Sequence, residues 1–159
     1  MKNYFFSKKL FLYALVFFLI IFSFNQYCLA QSSGIYFNVG AIINGLFNFG
    51  YQYYLSSNLD LRGSIGIIGT SYGSAFLFIF GIQYFFEEYK GFFLGLDLGF
   101  GSISADNYSA SATLFKIYGG YRFLLDSFFI DPGLSIGSVT VSNASVSGLG
   151  IVLEIGFLF

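Results

Sequence analysis

Apolar and polar residues alternate in steps of two through most of the chain after residue 34. The segment 93–102 (FLGLDLGFGS) puts Leu94, Leu96 and Leu98 on one face and Asp97 on the other. Clusters of Gly, Ser and Asn interrupt the alternation at turn spacing. Because a period of two residues predicts β-strands, we expect eight of them, at 35–44, 47–55, 59–67, 75–85, 93–102, 114–123, 129–138 and 150–159.

The charged residues indicate what each face of these strands meets. Seven of them fall on the polar faces: Asp60, Arg62, Asp97, Lys116, Arg122, Asp131 and Glu154. The other charges after residue 30 fall between strands, and none falls on an apolar face. A charge that faces lipid near the middle of a bilayer costs about 2–4 kcal/mol. The pattern therefore predicts that the apolar faces meet lipid and that the charges point into a lumen.

The composition excludes the soluble folds that share this periodicity. The chain is 56% hydrophobic and 9% charged, whereas soluble domains have roughly 25% charged residues. A soluble eight-stranded barrel would carry its charges outside and its apolar face inside. Inside a bilayer only helical bundles and closed barrels satisfy every backbone polar group. Two uncharged runs are long enough for helices, but GTSYGS at 69–74 breaks the run 63–86 in its middle and SSN at 56–58 ends the run 31–59. We therefore predict an all-β fold, an eight-stranded antiparallel up-and-down transmembrane β-barrel.

The first 30 residues have the pattern of a secretory signal peptide. Lys2, Lys8 and Lys9 precede an uncharged apolar segment at 10–24, and CLA before Gln31 provides a small-residue cleavage site after Ala30. A membrane-anchoring helix and a lipoprotein modified at Cys28 are the alternatives. The predicted organisation is a signal peptide at 1–30 and a barrel domain at 31–159.

The seven charged residues that point into the lumen are expected to have a structural role. An eight-stranded barrel is about filled by its own side chains, and buried charges need partners. Four acids and three bases among the seven lumen charges lead us to expect a salt-bridge network that braces the barrel. A small ion path gated by the same pairs is the alternative.

The signal peptide, the eight alternating strands and the ending EIGFLF together resemble the small outer-membrane barrels of the OmpA/OmpX type. The resemblance implies an integral protein of the outer membrane of a two-membrane bacterium, with both termini in the periplasm. It also implies that Ile155, Phe157 and Phe159 match the signal read by the barrel-assembly machinery. Outer-membrane lipid is the expected partner, and an aromatic girdle at the periplasmic interface is predicted from Tyr53, Tyr84, Tyr121, Phe123, Phe157 and Phe159.

The chemistry available to the chain points away from catalysis. There is no histidine, which removes the usual general base and the commonest metal ligand. We predict no catalytic residue, no metal, no cofactor and, without a basic patch, no nucleic-acid partner. The predicted function is structural, or surface recognition and adhesion through extracellular loops at 102–112 and 138–148. A narrow porin-like channel is the alternative, and a lipid-modifying enzyme that uses Asp97 or Glu154 is a third.

Overall fold

The computed structural model of the protein describes residues 33–43, 46–70, 73–105, 108–142 and 144–159. These residues form eight strands and one short helix. The predicted signal peptide lies outside the described residues. The elements are β1 (Ser33–Asn38), α1 (Val39–Ile43), β2 (Leu46–Ser56), β3 (Leu59–Thr70), β4 (Gly73–Phe85), β5 (Gly91–Ala105), β6 (Tyr108–Leu125), β7 (Phe128–Val141) and β8 (Ala144–Leu158).

Every strand pairs antiparallel with its neighbour in the chain, and β8 pairs with β1 to close a barrel. The closing ladder runs from Gly34 opposite Leu158 to Asn38 opposite Glu154. Closure leaves no sheet edge along this ladder, and an unpaired edge in lipid would expose backbone polar groups. The predicted eight-stranded antiparallel barrel is confirmed. Among the described residues, no helix is long and apolar enough to cross a bilayer.

The barrel has two ends that differ in their connections. At one, which we call the terminal end, lie Ser33, Leu158 and the connections 57–58, 86–90 and 126–127. At the other, which we call the hairpin end, β3 turns into β4, β5 into β6, and β7 into β8. The strands from β5 onward are long, 14 to 18 residues. The barrel wall formed by β5–β8 therefore extends beyond the ends of β1–β4 on the side of the hairpin end.

The first strand is shorter than predicted. The segment 35–44 was expected to be extended throughout, but β1 ends at Asn38 and helix α1 follows. The side-chain oxygen of Asn38 accepts a hydrogen bond from the Ala41 N–H at 2.8 Å, which is the geometry of a helix N-cap. The cap of Asn38 thus favours a helical turn directly after the strand, so the segment Val39–Ile43 is not part of β1.

The two predicted extracellular loops are largely β-structure, which corrects that expectation. β5 continues to Ala105 and β6 begins at Tyr108, so most of 102–112 is a hairpin. β7 continues to Val141 and β8 begins at Ala144, so most of 138–148 is a second hairpin. Ladder pairing runs to the tips, where Thr140 Oγ1 donates to Ser145 Oγ at 3.2 Å. Serine and threonine satisfy one another across the strands here, which keeps these polar segments extended.

Candidate functional site

Seven charged residues of the chain face the lumen, most of them in its terminal half. All seven predicted lumen charges lie on inward-facing positions, and all but Lys116 are buried. They form three ion pairs, Arg62 with Glu154, Lys116 with Asp97, and Arg122 with Asp131. Each pair joins residues from different strands, so the pairs tie opposite and neighbouring parts of the wall together.

Arg62 crosses the lumen from β3 to reach Glu154 on β8. Its Nη2 pairs with Glu154 Oε2, and its Nη1 donates to Tyr118 Oη at 2.6 Å. The guanidinium also lies over the Tyr36 ring, 4.1 Å from the centroid. Glu154 Oε1 accepts a second hydrogen bond from Asn38 Nδ2 at 3.2 Å. The charges are therefore desolvated but paired and hydrogen-bonded, which is what a buried ion pair requires.

Arg122 forms the most completely buried centre. Its Nε and Nη2 donate to the two carboxylate oxygens of Asp131 at 2.8 and 2.5 Å, a bidentate arrangement. Nη1 donates to Tyr54 Oη, and Nη2 also donates to Gln52 Oε1 at 3.2 Å. The guanidinium carbon lies 3.9 Å from the centroid of the Phe129 ring. Planar stacking and forked hydrogen bonding together favour arginine over lysine at this position.

Lys116 and Asp97 form the third pair, nearer the hairpin end. Lys116 Nζ lies 2.7 Å from Asp97 Oδ2 and 4.6 Å from the centroid of the Tyr118 ring. The side chain of Lys116 is 19% exposed, whereas those of Arg62 and Arg122 are 1% and 0% exposed. Lys116 is thus the most accessible of the lumen cations.

Asp60 is buried without a hydrogen-bond partner among the described residues. It faces Gln83 across the β3–β4 ladder, and neither carboxylate oxygen of Asp60 nor either amide atom of Gln83 finds a partner there. The Nε of Arg62 is also unsatisfied. Donors and acceptors of this kind are what buried water molecules bridge.

Two glycines make room for the tyrosines that support the ion pairs. Gly50 lies opposite Tyr36 in the β1–β2 ladder, and Gly95 lies opposite Tyr118 in the β5–β6 ladder. A Cβ on either glycine would collide with the facing tyrosine ring. The glycines therefore let these rings lie flat across the neighbouring strand, beside Arg62.

Aromatic side chains close the lumen at the terminal end, a feature that the sequence analysis missed. Phe85, Phe93, Phe129 and Leu158 point inward and are buried, and the rings of Phe85 and Phe93 lie 5.9 Å apart. We call these four residues the floor. Their positions follow from the same period of two that placed the charges, so the parity of each strand was the signal that could have found them.

The six predicted girdle residues all occupy outward positions. Tyr84, Phe123, Phe157 and Phe159 have exposed side chains, and Tyr53 and Tyr121 are half-buried. The rings contact outward aromatic neighbours: Tyr121 lies 4.8 Å from Phe123, and Phe157 lies 5.2 Å from Phe128. Their role at a membrane interface stays a prediction.

The proposed assembly residues Ile155, Phe157 and Phe159 share the outward face of the last segment. Ile155 pairs with Phe37 of β1, and Phe157 pairs with Ile35. The backbones of Phe159 and Ser33 exchange two hydrogen bonds, at 2.8 and 3.3 Å. These residues therefore lie on the seam that closes the barrel.

Asp97 and Glu154, the two carboxylates considered for catalysis, both have bonding partners. Asp97 is paired with Lys116, and Glu154 is paired with Arg62 and bonded to Asn38. In the part of the chain that the structure describes, no group of three or more His, Cys, Asp or Glu side chains could hold a metal ion.

Comparison with solved structures finds the same fold in a known barrel. The chain is similar to the N-terminal β-barrel domain of OprF from Pseudomonas aeruginosa, with a TM-score of 0.62 and 17% sequence identity. The match covers 82% of this chain and 100% of that domain. No protein-family model and no curated protein sequence matches the chain. The fold is therefore that of an outer-membrane-type eight-stranded barrel.

Proposed function

We propose that this protein is a non-enzymatic integral barrel of the bacterial outer membrane. Its terminal end faces the periplasm, and its β5–β6 and β7–β8 hairpins stand at the cell surface. Outer-membrane lipid surrounds the apolar outward faces, and the assembly machinery recognises Ile155, Phe157 and Phe159. The hairpins give the surface a rigid β-structure for structural contacts or recognition, and the barrel anchors them.

The observation that favours a structural or recognition role over a channel is the filled lumen of the terminal half. Phe85, Phe129 and Asp131 have 0% of their surface exposed, and Arg122 has 1%. A continuous water-filled path would wet the side chains along it. The floor and the Arg122 centre therefore favour a braced plug, in which ion pairs stabilise the barrel, over an open pore.

A narrow ion path is the second candidate, and the unsatisfied groups of Asp60 and Gln83 favour it. Water molecules held there would form part of a wet route past the ion pairs. Such a route would still need the floor to move.

Conductance of the refolded chain separates these two candidates. We expect the purified protein to show the heat-dependent gel mobility of a folded barrel and no conductance steps in planar bilayers. Phe129→Ala should open the floor and allow small conductance, whereas Phe128→Ala, on the outward face of the same strand, should not. Steady conductance of the unsubstituted folded protein would contradict the plug and favour the ion path.

The proposed orientation can be tested with single cysteines in the chain that remains after signal cleavage, since Cys28 is the only cysteine. An impermeant maleimide should label Ser145→Cys in intact cells. It should label Asp126→Cys only after the outer membrane is permeabilised. The reverse pattern would place the terminal end at the cell surface.

A further inference from the structure

The polarity of the wall inverts along the β5–β6 hairpin. Toward the terminal end, the outward positions of β5 and β6 are apolar and the inward positions include Asp97 and Lys116. Toward the tip, the outward positions become Ser102, Ser104, Ser109, Ser111 and Thr113, and the inward positions become Ile103, Ala110, Ala112 and Leu114. The outer surface of the tip is thus polar and its inner surface apolar, as in a soluble barrel.

The β7–β8 hairpin shows the same inversion independently. Ser138 pairs with Ser147 and Thr140 with Ser145 on the outward face. Val139 pairs with Val146 and Val141 with Ala144 on the inward face. Two hairpins with separate sequences therefore present apolar inner walls at the hairpin end.

These inner walls meet in one apolar cluster. Leu77 and Ile79 from β4 and Ala112 from β6 are buried together, and Ile103, Leu114 and Val141 pack against them. We call its residues, with Val139 and Val146, the cup.

The cup is incompletely filled by the described residues. Val146 is 74% exposed although it faces inward. A Cβ built on Gly148, also on the inward face of β8, would have no described atom within 4 Å. Ile103, Leu114, Val139 and Val141 each remain half-buried. An apolar inner wall that is open to this extent has room for an apolar guest.

The base of the cup is the Lys116–Asp97 pair. Lys116 follows Leu114 by one inward position on β6, and it is the lumen cation with the most exposed side chain. Because the buried floor lies at the opposite end, we infer that the exposed part of Lys116 faces the cup. A lysine ammonium has three donors, and Asp97 Oδ2 accepts one of them at 2.7 Å.

We propose that the cup binds an aliphatic chain that carries one carboxylate, a free fatty acid. The chain lies against Leu77, Ile79, Leu114 and Val139, and the carboxylate meets the ammonium of Lys116 at the base. The acid is preferred to a neutral chain because the ammonium of Lys116 has donors beyond the one that Asp97 accepts, and a carboxylate is the stronger acceptor for them. This binding activity goes beyond the structural role, and it relies on the proposed orientation only for the side from which the acid arrives.

The absence of tryptophan from the chain allows a direct test. Val139→Trp puts a single fluorophore on the cup, and Thr140→Trp puts one at the next residue on the outward face. Both variants are refolded into lipid nanodiscs, and folding is verified by heat-dependent gel mobility. The probe is dodecanoate brominated at mid-chain, because bromine quenches tryptophan on contact. We expect saturable quenching in Val139→Trp and only weak, non-saturating quenching in Thr140→Trp.

Three further substitutions in the Val139→Trp background test the carboxylate contact and the apolar wall separately. Lys116→Met should raise the half-quenching concentration of the acid about tenfold, the effect of losing one charge-assisted hydrogen bond. It should leave the competition by dodecanol unchanged. Leu114→Asp should abolish saturable quenching, whereas Ser111→Asp, on the outward face of the same strand, should not.

Each outcome decides the question. Quenching of Val139→Trp that does not saturate, or that equals quenching of Thr140→Trp, would contradict the proposal that the cup is a binding site. Saturable quenching that Lys116→Met leaves unchanged would overturn the fatty acid as ligand. If Val139→Trp does not fold, Val141→Trp on the same inward face replaces it. Because the conductance of the unsubstituted protein is measured separately, failure of the cup and failure of the plug are distinguishable.

Discussion

Asn38 and Glu154 face each other across the seam that closes the barrel, and Asn38 Nδ2 donates to Glu154 Oε1 at 3.2 Å. The other side-chain atom of the same amide, Oδ1, caps helix α1 through the Ala41 N–H. One amide thus ends the first strand, starts the helix and orients the carboxylate that pairs with Arg62.

Replacement of Asn38 should weaken the fold through both of these bonds. Asn38→Ala removes the cap and leaves Glu154 with one fewer donor, which should lower the free energy of unfolding by roughly 2–4 kcal/mol. Urea unfolding in lipid vesicles measures this change. Asn38→Ser keeps a capping oxygen and should recover part of the loss. Equal losses in the two variants would show that the cap contributes nothing.

Glu154→Gln should destabilise the barrel by about 3–5 kcal/mol, because it leaves the guanidinium of Arg62 buried without its counter-charge. The double variant Arg62→Met with Glu154→Leu should recover most of that loss, since apolar side chains remove both desolvated charges. Unfolding in urea of Arg62→Met, Glu154→Leu and the double variant completes a double-mutant cycle that gives the coupling energy. Asp97→Asn is the control in a more accessible pair, and an equal effect there would contradict the importance of burial.

Arg122→Lys should cost roughly 2–4 kcal/mol although it keeps the charge. Lysine cannot make the bidentate contact with Asp131 while it stacks on Phe129. Unfolding by urea measures the loss, and Lys90→Arg in the exposed 86–90 connection should have no measurable effect. An unchanged free energy of unfolding in Arg122→Lys would show that Arg122 contributes only its charge.

Alanine should be tolerated at one of two glycines in neighbouring strands and not at the other. A Cβ at inward Gly81 would collide with the Asp97 side chain and lie 2.8 Å from the Leu96 carbonyl oxygen. Gly81→Ala should therefore destabilise by about 1–3 kcal/mol through overpacking. A Cβ at outward Gly63 meets nothing within 4 Å, so Gly63→Ala should change stability by less than about 0.5 kcal/mol. Similar losses in both would indicate a backbone effect.

Phe159→Ala separates assembly from stability. The substitution keeps the backbone hydrogen bonds with Ser33 and removes only an exposed ring, so the refolded barrel should remain about as stable. Its insertion in cells should slow, if the proposed recognition of Ile155, Phe157 and Phe159 holds. Pulse-labelling of membrane fractions measures the rate, and Phe86→Ala, another outward aromatic, is the control. Unchanged insertion would remove the assembly role of Phe159.

The fold followed from the sequence because a lipid-facing strand permits little else. Apolar residues at every second position and charges confined to the other face predicted the strands, their number and their closure. The inward placement of Arg62, Asp97 and Glu154 followed from the same parity. The partner of each charge did not, because the register between distant strands decides which side chains meet.

Three segments were predicted wrongly, two because the sense of the alternation reverses along the strands and one because of a local hydrogen bond. In 102–112 and 138–148 the alternation persists with its sense reversed, so serines outside and valines or alanines inside resembled a loop. At 39–43 apolar residues at alternate positions suggested a strand, but the capping amide of Asn38 starts a helix. Local hydrogen bonding overrode periodicity there.

The seam between β1 and β8 has a consequence for how the barrel forms. Its partners are the most distant in the described chain, and its ladder extends only from Gly34–Leu158 to Asn38–Glu154. Contacts between residues so far apart in sequence carry a large loop-closure entropy and form late. Every other ladder joins strands that are consecutive in the chain, so it can form progressively from a short connection. We therefore expect the wall to exist first as an open curved sheet, and its closure to be the rate-limiting event of folding.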